Sequence, residues 1–350
     1  MSLNNIFNFL NNVSHIPPII ENIIDYTDND ILTTYFRYNI SLKLKKYIMK
    51  NDILVYGKVQ SGKTNEIINI IYTHNCYKII LVIQNSIMVL NQYITRFNSC
   101  NLQVNVIDSN NTKINNGINI ILNNKHRRKF LSNKNLKSFI FLFDEADLTC
   151  NYYNLSIGFK RYYITATPFN MKIPFDKIIH INEPFNYYGL DKLQIDYFDL
   201  DYSNVFNDFL NQPSGILLIS HHILIEDMLN SALQLSLIYP NITFITLNSV
   251  VNKITNGSVK KLKKQSINKI IDSFNTTSHL VFISHRLSCR GLSYVNSSFT
   301  RNITHQILYL SNNISNNIQK LRICGIYKNN PTLKLYINSF DLFKKMLISI

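Results

Sequence analysis

The chain is predicted to be an α/β protein with two parallel-sheet units in series. Three observations predict it. From residue 52 onward, short apolar runs alternate with longer stretches of helical period, the pattern of successive βαβ units. A glycine-containing loop at 57–64 lies between a strand-like run and a helix-like run. A second series of apolar runs begins at Gly215, after an irregular stretch.

Taken in order, residues 1–50 read as a helical or irregular N-terminal extension, interrupted at Pro17-Pro18 and ending in a basic helical segment at 41–50. Strand-like runs follow at 53–56, 78–83, 102–107, 118–122, 138–143 and 161–166. Between them, 86–98 carries Met88, Leu90, Tyr93, Ile94 and Phe97 at helical spacing. The stretch 171–202 holds Pro174, Pro184 and Gly189 and lacks a long period, so the connection between units is expected near 185–200. Strand-like runs resume at 215–220, 242–247, 279–284 and 304–310, with a helical pattern at 223–235. Asn256-Gly257 between short runs predicts a hairpin in the second unit. The expected domains are therefore 51–190 and 191–350, after the extension at 1–50.

The bulk properties agree. A length of 350 residues favours two domains. A net charge of +15 favours a polyanionic partner, with nucleic acid the leading candidate. Usage is skewed toward Ile, Asn, Lys and Tyr, as in an AT-rich coding sequence, so lysine density by itself is weak evidence of function. The five cysteines are far apart and form no C-x-x-C pair, which fits a reducing, intracellular compartment and neither a zinc ribbon nor a disulfide framework. No run of apolar residues is long enough for a membrane span, and residues 1–6 lack the basic start of a signal peptide.

Gly57-Lys58-Val59-Gln60-Ser61-Gly62-Lys63-Thr64 fits the phosphate-binding loop G-x-x-x-x-G-K-[ST] at every fixed position. Backbone N–H groups of such a loop surround phosphate oxygens, and the following helix adds its positive end. Lys63 is then expected at the β- and γ-phosphates and Thr64 on Mg²⁺. The run 138–143 ends in Asp144-Glu145-Ala146-Asp147. Alone, such a cluster is commonly a helix N-cap. Paired with the upstream loop it reads as the second half of a hydrolysis site, with Asp144 on the metal and Glu145 orienting and deprotonating the attacking water. Thr165-Ala166-Thr167-Pro168 closes a third strand-like run, and its two hydroxyls are expected to hydrogen-bond Asp147; taken alone it is a Thr-Pro turn.

These three blocks, in this order, resemble the superfamily 2 helicases and translocases over about residues 50–340. The resemblance implies two RecA-like P-loop domains facing each other across a cleft. It implies ATP and Mg²⁺ in that cleft, and DNA or RNA as partner. Gly57, Gln60, Ser61, Gly62, Lys63 and Thr64 would hold the nucleotide. Thr64 and Asp144 would hold the metal, and Glu145 would act in hydrolysis. Asp147, Thr165 and Thr167 would couple hydrolysis to movement. Ile219-Ser220-His221-His222 resembles the motif that opens the second domain. Leu287-Ser288-Cys289-Arg290-Gly291-Leu292-Ser293 resembles the Arg-Gly motif, which places Arg290 and Gly291 at nucleic acid or nucleotide. Gln319-Lys320-Leu321-Arg322-Ile323-Cys324-Gly325 resembles the last motif, with Gln319 as a further contact and Arg322 as an arginine finger.

The chain departs from the family in three places. The last motif has one arginine where members carry two, and Lys328 is the nearest basic residue downstream. Neither a His-Arg-x-Gly-Arg block nor the adenine-reading glutamine motif of the RNA helicases is found, so DNA and RNA both stay open. The Val59-Gln60-Ser61 filling with Arg290-Gly291-Leu292 is similar to divergent helicase-like ATPases of large DNA viruses and mobile elements, which would act in the host cytoplasm or virion. Two basic clusters, 125–129 and 260–264, are candidate backbone contacts or solvated surface. A nucleic-acid-stimulated ATPase that does not unwind, serving a nuclease or the transcription machinery, and a binding module with a relic ATP site remain as alternatives.

Overall fold

The computed structural model describes residues 51–74, 78–132, 134–152, 158–199, 201–220, 225–248, 250–263, 265–284, 291–328 and 331–348. The expected extension at 1–50, and with it the basic segment 41–50, lies outside them, as do His221, His222 and Arg290.

Among the described residues the first sheet has seven strands, all parallel. They are β1 (Asn51–Tyr56), β2 (Lys78–Ile83), β3 (Val104–Ile107), β4 (Ile118–Leu122), β5 (Phe139–Asp144), β6 (Lys160–Thr165) and β7 (Lys177–His180), in the spatial order β3-β4-β2-β5-β6-β1-β7. The connections include helices α1 (Lys63–Thr73), α2 (Ile87–Ser99), α3 (Lys125–Ser132) and the short α4 (Ala146–Thr149). Continuous apolar strands such as KIILVI and FIFLFD suit a sheet covered on both faces. The side chains of β1 show the division: Ile53 and Val55 join one core cluster, Leu54 and Tyr56 the other. At the far end of β1, the Asp52 carboxylate receives the Arg161 guanidinium, whose Nη2 donates at 2.6 Å, and the Tyr163 hydroxyl at 3.2 Å.

The second sheet contains β9 (Gln194–Tyr197), β10 (Gly215–Ser220), β11 (Thr243–Leu247), β12 (Val251–Thr255), β13 (Ser258–Leu262), β14 (His279–Ser284), β15 (His305–Leu308) and β17 (Lys334–Ile337). Their order is β13-β12-β11-β14-β10-β15-β17-β9. Among the described residues, only the β11-β12 and β12-β13 pairs of this sheet are antiparallel. The turn of this hairpin is Asn256-Gly257, both at positive φ (45° and 72°), which matches the twist of the flanking strands. Helices α5 (Ser203–Leu210), α6 (Ile225–Ile238), α7 (Ile267–Asp272), α8 (Ile314–Lys320) and α9 (Phe340–Leu347) complete this half.

The stretch read from sequence as an irregular connection contains three short strands. β7 extends the first sheet and β9 the second. Between them, β8 (Tyr187–Tyr188) pairs antiparallel with β16 (Gly325–Ile326). Strands of two to four residues carry too few side chains to show a period, so only pairing reveals them. One buried apolar cluster runs from Val55 and Leu81 of the first sheet to Leu218 and Phe282 of the second, so the halves share a core.

Candidate functional site

Register brings the chemistry to one edge. β5, β6 and β1 are neighbours, with Asp144 beside Ile164 and Tyr56 beside Thr165. The glycine loop, the Asp144-Glu145 pair and the Thr165–Thr167 segment therefore leave the same carboxyl edge, where ligands of open α/β sheets bind.

The loop itself is shaped for an anion. Gln60 and Gly62 adopt positive φ (57° and 102°), and Gly62 caps α1 with no side-chain bond, leaving the helix N-terminus to an outside acceptor. Ser61 Oγ is buried with no protein hydrogen-bond partner. Lys63 Nζ lies inside the loop, donating to the carbonyls of Lys58 (2.8 Å) and Gly57 (3.2 Å). Burial lowers the Lys63 pKa, while the Glu145 and Asp144 carboxylates oppose the shift.

Both carboxylates are buried. Burial, and after it the Glu145 charge, push the Asp144 carboxyl up to about 7. Glu145 sits in the left-handed region (φ 49°, ψ 55°), a conformation that costs a non-glycine residue about 1–3 kcal/mol and concentrates at functional sites. Thr64 and Asp144 supply hydroxyl and carboxylate oxygens to a cleft of about 440 Å³. That donor set, with the phosphate cradle and the orphaned Ser61 hydroxyl, fits Mg²⁺ carried in on a nucleotide.

The second half closes the cleft. Gln60, Gly62, Lys63, Thr64, Asp144 and Glu145 line it from one side and Gly291 and Arg322 from the other. The β8-β16 ribbon and the loop hold the Arg322 segment in place: Gln60 Nε2 donates to the Arg322 carbonyl (2.8 Å) and the Tyr187 hydroxyl to the Val59 carbonyl (2.8 Å). Gly291 has φ +69°, a conformation that strains any side chain, and a Cβ there would meet Gln84 Nε2 at 2.6 Å and Val89 Cγ2 at 3.0 Å, so glycine favours this approach of the halves.

Behind the cleft runs a hydrogen-bond relay. Thr165 Oγ1 donates to Asp147 Oδ1 (2.8 Å) and Thr167 Oγ1 to Asp147 Oδ2 (3.1 Å). Gln319 Nε2, from α8 of the second half, donates to Thr167 Oγ1 at 2.9 Å. Gln319 was expected at nucleic acid or nucleotide; here it is buried and bonded across the halves. Lys328 does not line the cleft: its Nζ donates to the Ser298 carbonyl (2.6 Å).

Sequence reasoning missed the α2 contribution. Gln92, Tyr93 and Arg96 line the cleft. Burial raises the Tyr93 pKa well above its usual value, helped by the charge of Asp144. Arg96 Nη2 donates to Ser293 Oγ (3.3 Å), and the Gln92 amide, oriented by its neighbours, donates to the Gly291 carbonyl (2.9 Å). Tyr93 reads as part of the apolar stripe of α2, and Gln92 and Arg96, four residues apart, as polar positions beside it, so nothing in the sequence sets them apart.

No family model matches the sequence, and no curated protein matches it. Solved structures do. RecG bound to a three-way DNA junction superposes with a TM-score of 0.54 at 12% identity, over 92% of this chain and 47% of that one. The chain thus spans about half the length of that RecG chain. A DEAD box protein from the hyperthermophile Methanococcus jannaschii gives 0.41 at 15% identity, over 86% and 85% of the two chains. The yeast DEAD-box splicing factor Prp28 gives 0.29 at 15%, over 89% and 79%. Among the described residues no helix is long and apolar enough to cross a membrane. Two mostly parallel sheets lining a common cleft, and the likeness to RecG, give this chain the fold of the matched half of that structure, two α/β units in series.

Proposed function

We propose that the protein is a helicase-type ATP hydrolase that couples hydrolysis to movement on nucleic acid. The observation that carries this reading is the convergence of Lys63, Thr64, Asp144, Glu145 and Arg322 on one cleft built by both halves. The RecG structure holds DNA, and the charge of +15 suits a polyanion.

In this reading Gly57, Gln60, Ser61 and Gly62 cradle phosphates through backbone and hydroxyl donors. Lys63 exchanges its loop carbonyls for phosphate oxygens. Thr64 and Asp144 would hold Mg²⁺, which when bound would supply positive charge to offset that of the triphosphate. Glu145 positions the attacking water and takes its proton. Arg322 brings a fixed positive charge to the transferring phosphoryl group. Asp147, Thr165, Thr167 and Gln319 transmit the state of the cleft to the second half, and Gly291, with Arg290 beside it in the chain, faces nucleotide or strand.

The test is hydrolysis with single- and double-stranded DNA and RNA. Lys63→Ala loses nucleotide affinity; Glu145→Gln binds nucleotide and does not turn it over. Folded protein that hydrolyses ATP with none of these nucleic acids refutes the catalytic reading. A Glu145→Gln variant turning over at the wild-type rate removes Glu145 from its role.

A further inference from the structure

The β12-β13 hairpin is a basic edge. No Asp or Glu occurs between Asp227 and Asp272, while Lys253, Lys260, Lys261, Lys263, Lys264 and Lys269 do. β13 ends the strand order of the second sheet, and Lys260, Lys261 and Lys263 are exposed. Lys253 stands directly opposite Lys260 across the hairpin. Like charges so paired destabilise a sheet. Among the described residues no carboxylate forms an ion pair with Lys253, Lys260, Lys261, Lys263 or Lys269. Asp272, the next acid along the chain, instead accepts from the Ser297 amide (3.2 Å).

Register says where this charge points. Leu262 pairs with Val251, Val251 with Leu247, and Leu247 with Ser284. The run from Lys260 to Lys263 therefore climbs toward the carboxyl edge of the second sheet, the edge from which β14 leads on to Gly291 at the cleft. Lysines on an edge strand also guard it against pairing with other chains. That role does not call for a charge run continuing past the strand end, nor for a like-charged cross-strand pair.

We infer that the β12-β13 hairpin is a docking surface for the phosphodiester backbone of a nucleic-acid single strand, which its basic run meets on the side of the carboxyl edge of the second sheet. The inference rests on the nucleic-acid part of the proposed function. Contacts of this kind are sequence-independent and release counterions.

The experiment uses the full chain and fluorescence anisotropy with labelled oligothymidylate and oligouridylate, titrated between about 50 and 200 mM salt. The variants are Lys260→Gln/Lys261→Gln/Lys263→Gln and its charge-retaining Arg counterpart. Three lost phosphate contacts lower the log–log salt slope by about 2 and weaken binding about 100-fold near 0.1 M salt. The Arg variant keeps slope and affinity. A Gln variant with wild-type slope and affinity overturns the inference alone, as does one that self-associates in light scattering with affinity intact, which assigns the lysines to edge protection. Competition by polyglutamate but not by oligonucleotide also overturns it. Wild-type protein that binds neither oligonucleotide overturns both this inference and the nucleic-acid reading. Lysine-dependent binding without ATP hydrolysis keeps the inference and removes the hydrolytic reading.

Discussion

The contact between Gln319 and Thr167 makes a quantitative prediction about communication between the halves. Gln319→Met keeps an unbranched side chain of similar length and removes the donor. Both residues are buried, at 1% and 0% exposure, and the bond is 2.9 Å. Loss of one partner of a buried hydrogen bond costs about 1–3 kcal/mol. This bond exists only while α8 is docked against the first half, so that cost falls on the docked arrangement. A coupling of this size corresponds to about a 5- to 150-fold effect. The expected result is nucleotide binding close to wild type and nucleic-acid-stimulated hydrolysis reduced within that range. Thr167→Val removes the same bond from the other side, together with the bond from Thr167 to Asp147. A double-mutant cycle on stimulated hydrolysis should therefore show an interaction energy of about 0.5–3 kcal/mol. Strict additivity of the two substitutions, with both proteins folded, refutes the reasoning.

Three further outcomes are expected. Asp52→Ala strands the buried Arg161 guanidinium and should lower stability by about 3–5 kcal/mol in urea denaturation, with Asp52→Asn/Arg161→Met recovering part of the loss. Burial holds the His305 pKa down to about 4, outweighing the Asp208 carboxylate 4.0 Å away, while Lys334 and His279 add to the depression. Its unfolded value is higher, so the stability it contributes is present above about 6.5 and is lost as pH falls toward 4, up to roughly 3 kcal/mol; His305→Phe should flatten this slope in denaturation curves between those pH values. Phe299 is half-exposed, has φ 59° and lines the cleft, and under the proposed function it is the aromatic side chain expected to stack on the nucleobase. Phe299→Ala should weaken ATP binding about 5- to 100-fold and leave inorganic tripolyphosphate binding unchanged, as read by competition with a fluorescent nucleotide; equal losses for both ligands exclude stacking.

Local patterns were readable because they depend on near neighbours in the chain. The alternation of apolar runs marks out most long strands, the glycine loop between β1 and α1 is legible from its spacing, and Asn256-Gly257 declares its hairpin turn. The hydroxyls of Thr165 and Thr167 were expected on Asp147 because all three leave strand ends, and the structure places them there. What the sequence by itself determined is therefore the α/β class, the two series of strands and the residue types that can handle a triphosphate.

Only the tertiary structure decided which parts meet. Strand order is set by long-range pairing, and it makes β5, β6 and β1 neighbours although they are far apart in the chain. The ribbon of β8 and β16 fixes the Arg322 segment against Gln60 across 262 positions. Tyr93, Gln92 and Arg96 gain their place at the cleft from the packing of α2 against Gly291 and Ser293, a contact no periodicity encodes. Periodicity reports which face of an element is apolar; it is silent on which element that face meets, because burial against any partner removes the same surface from water.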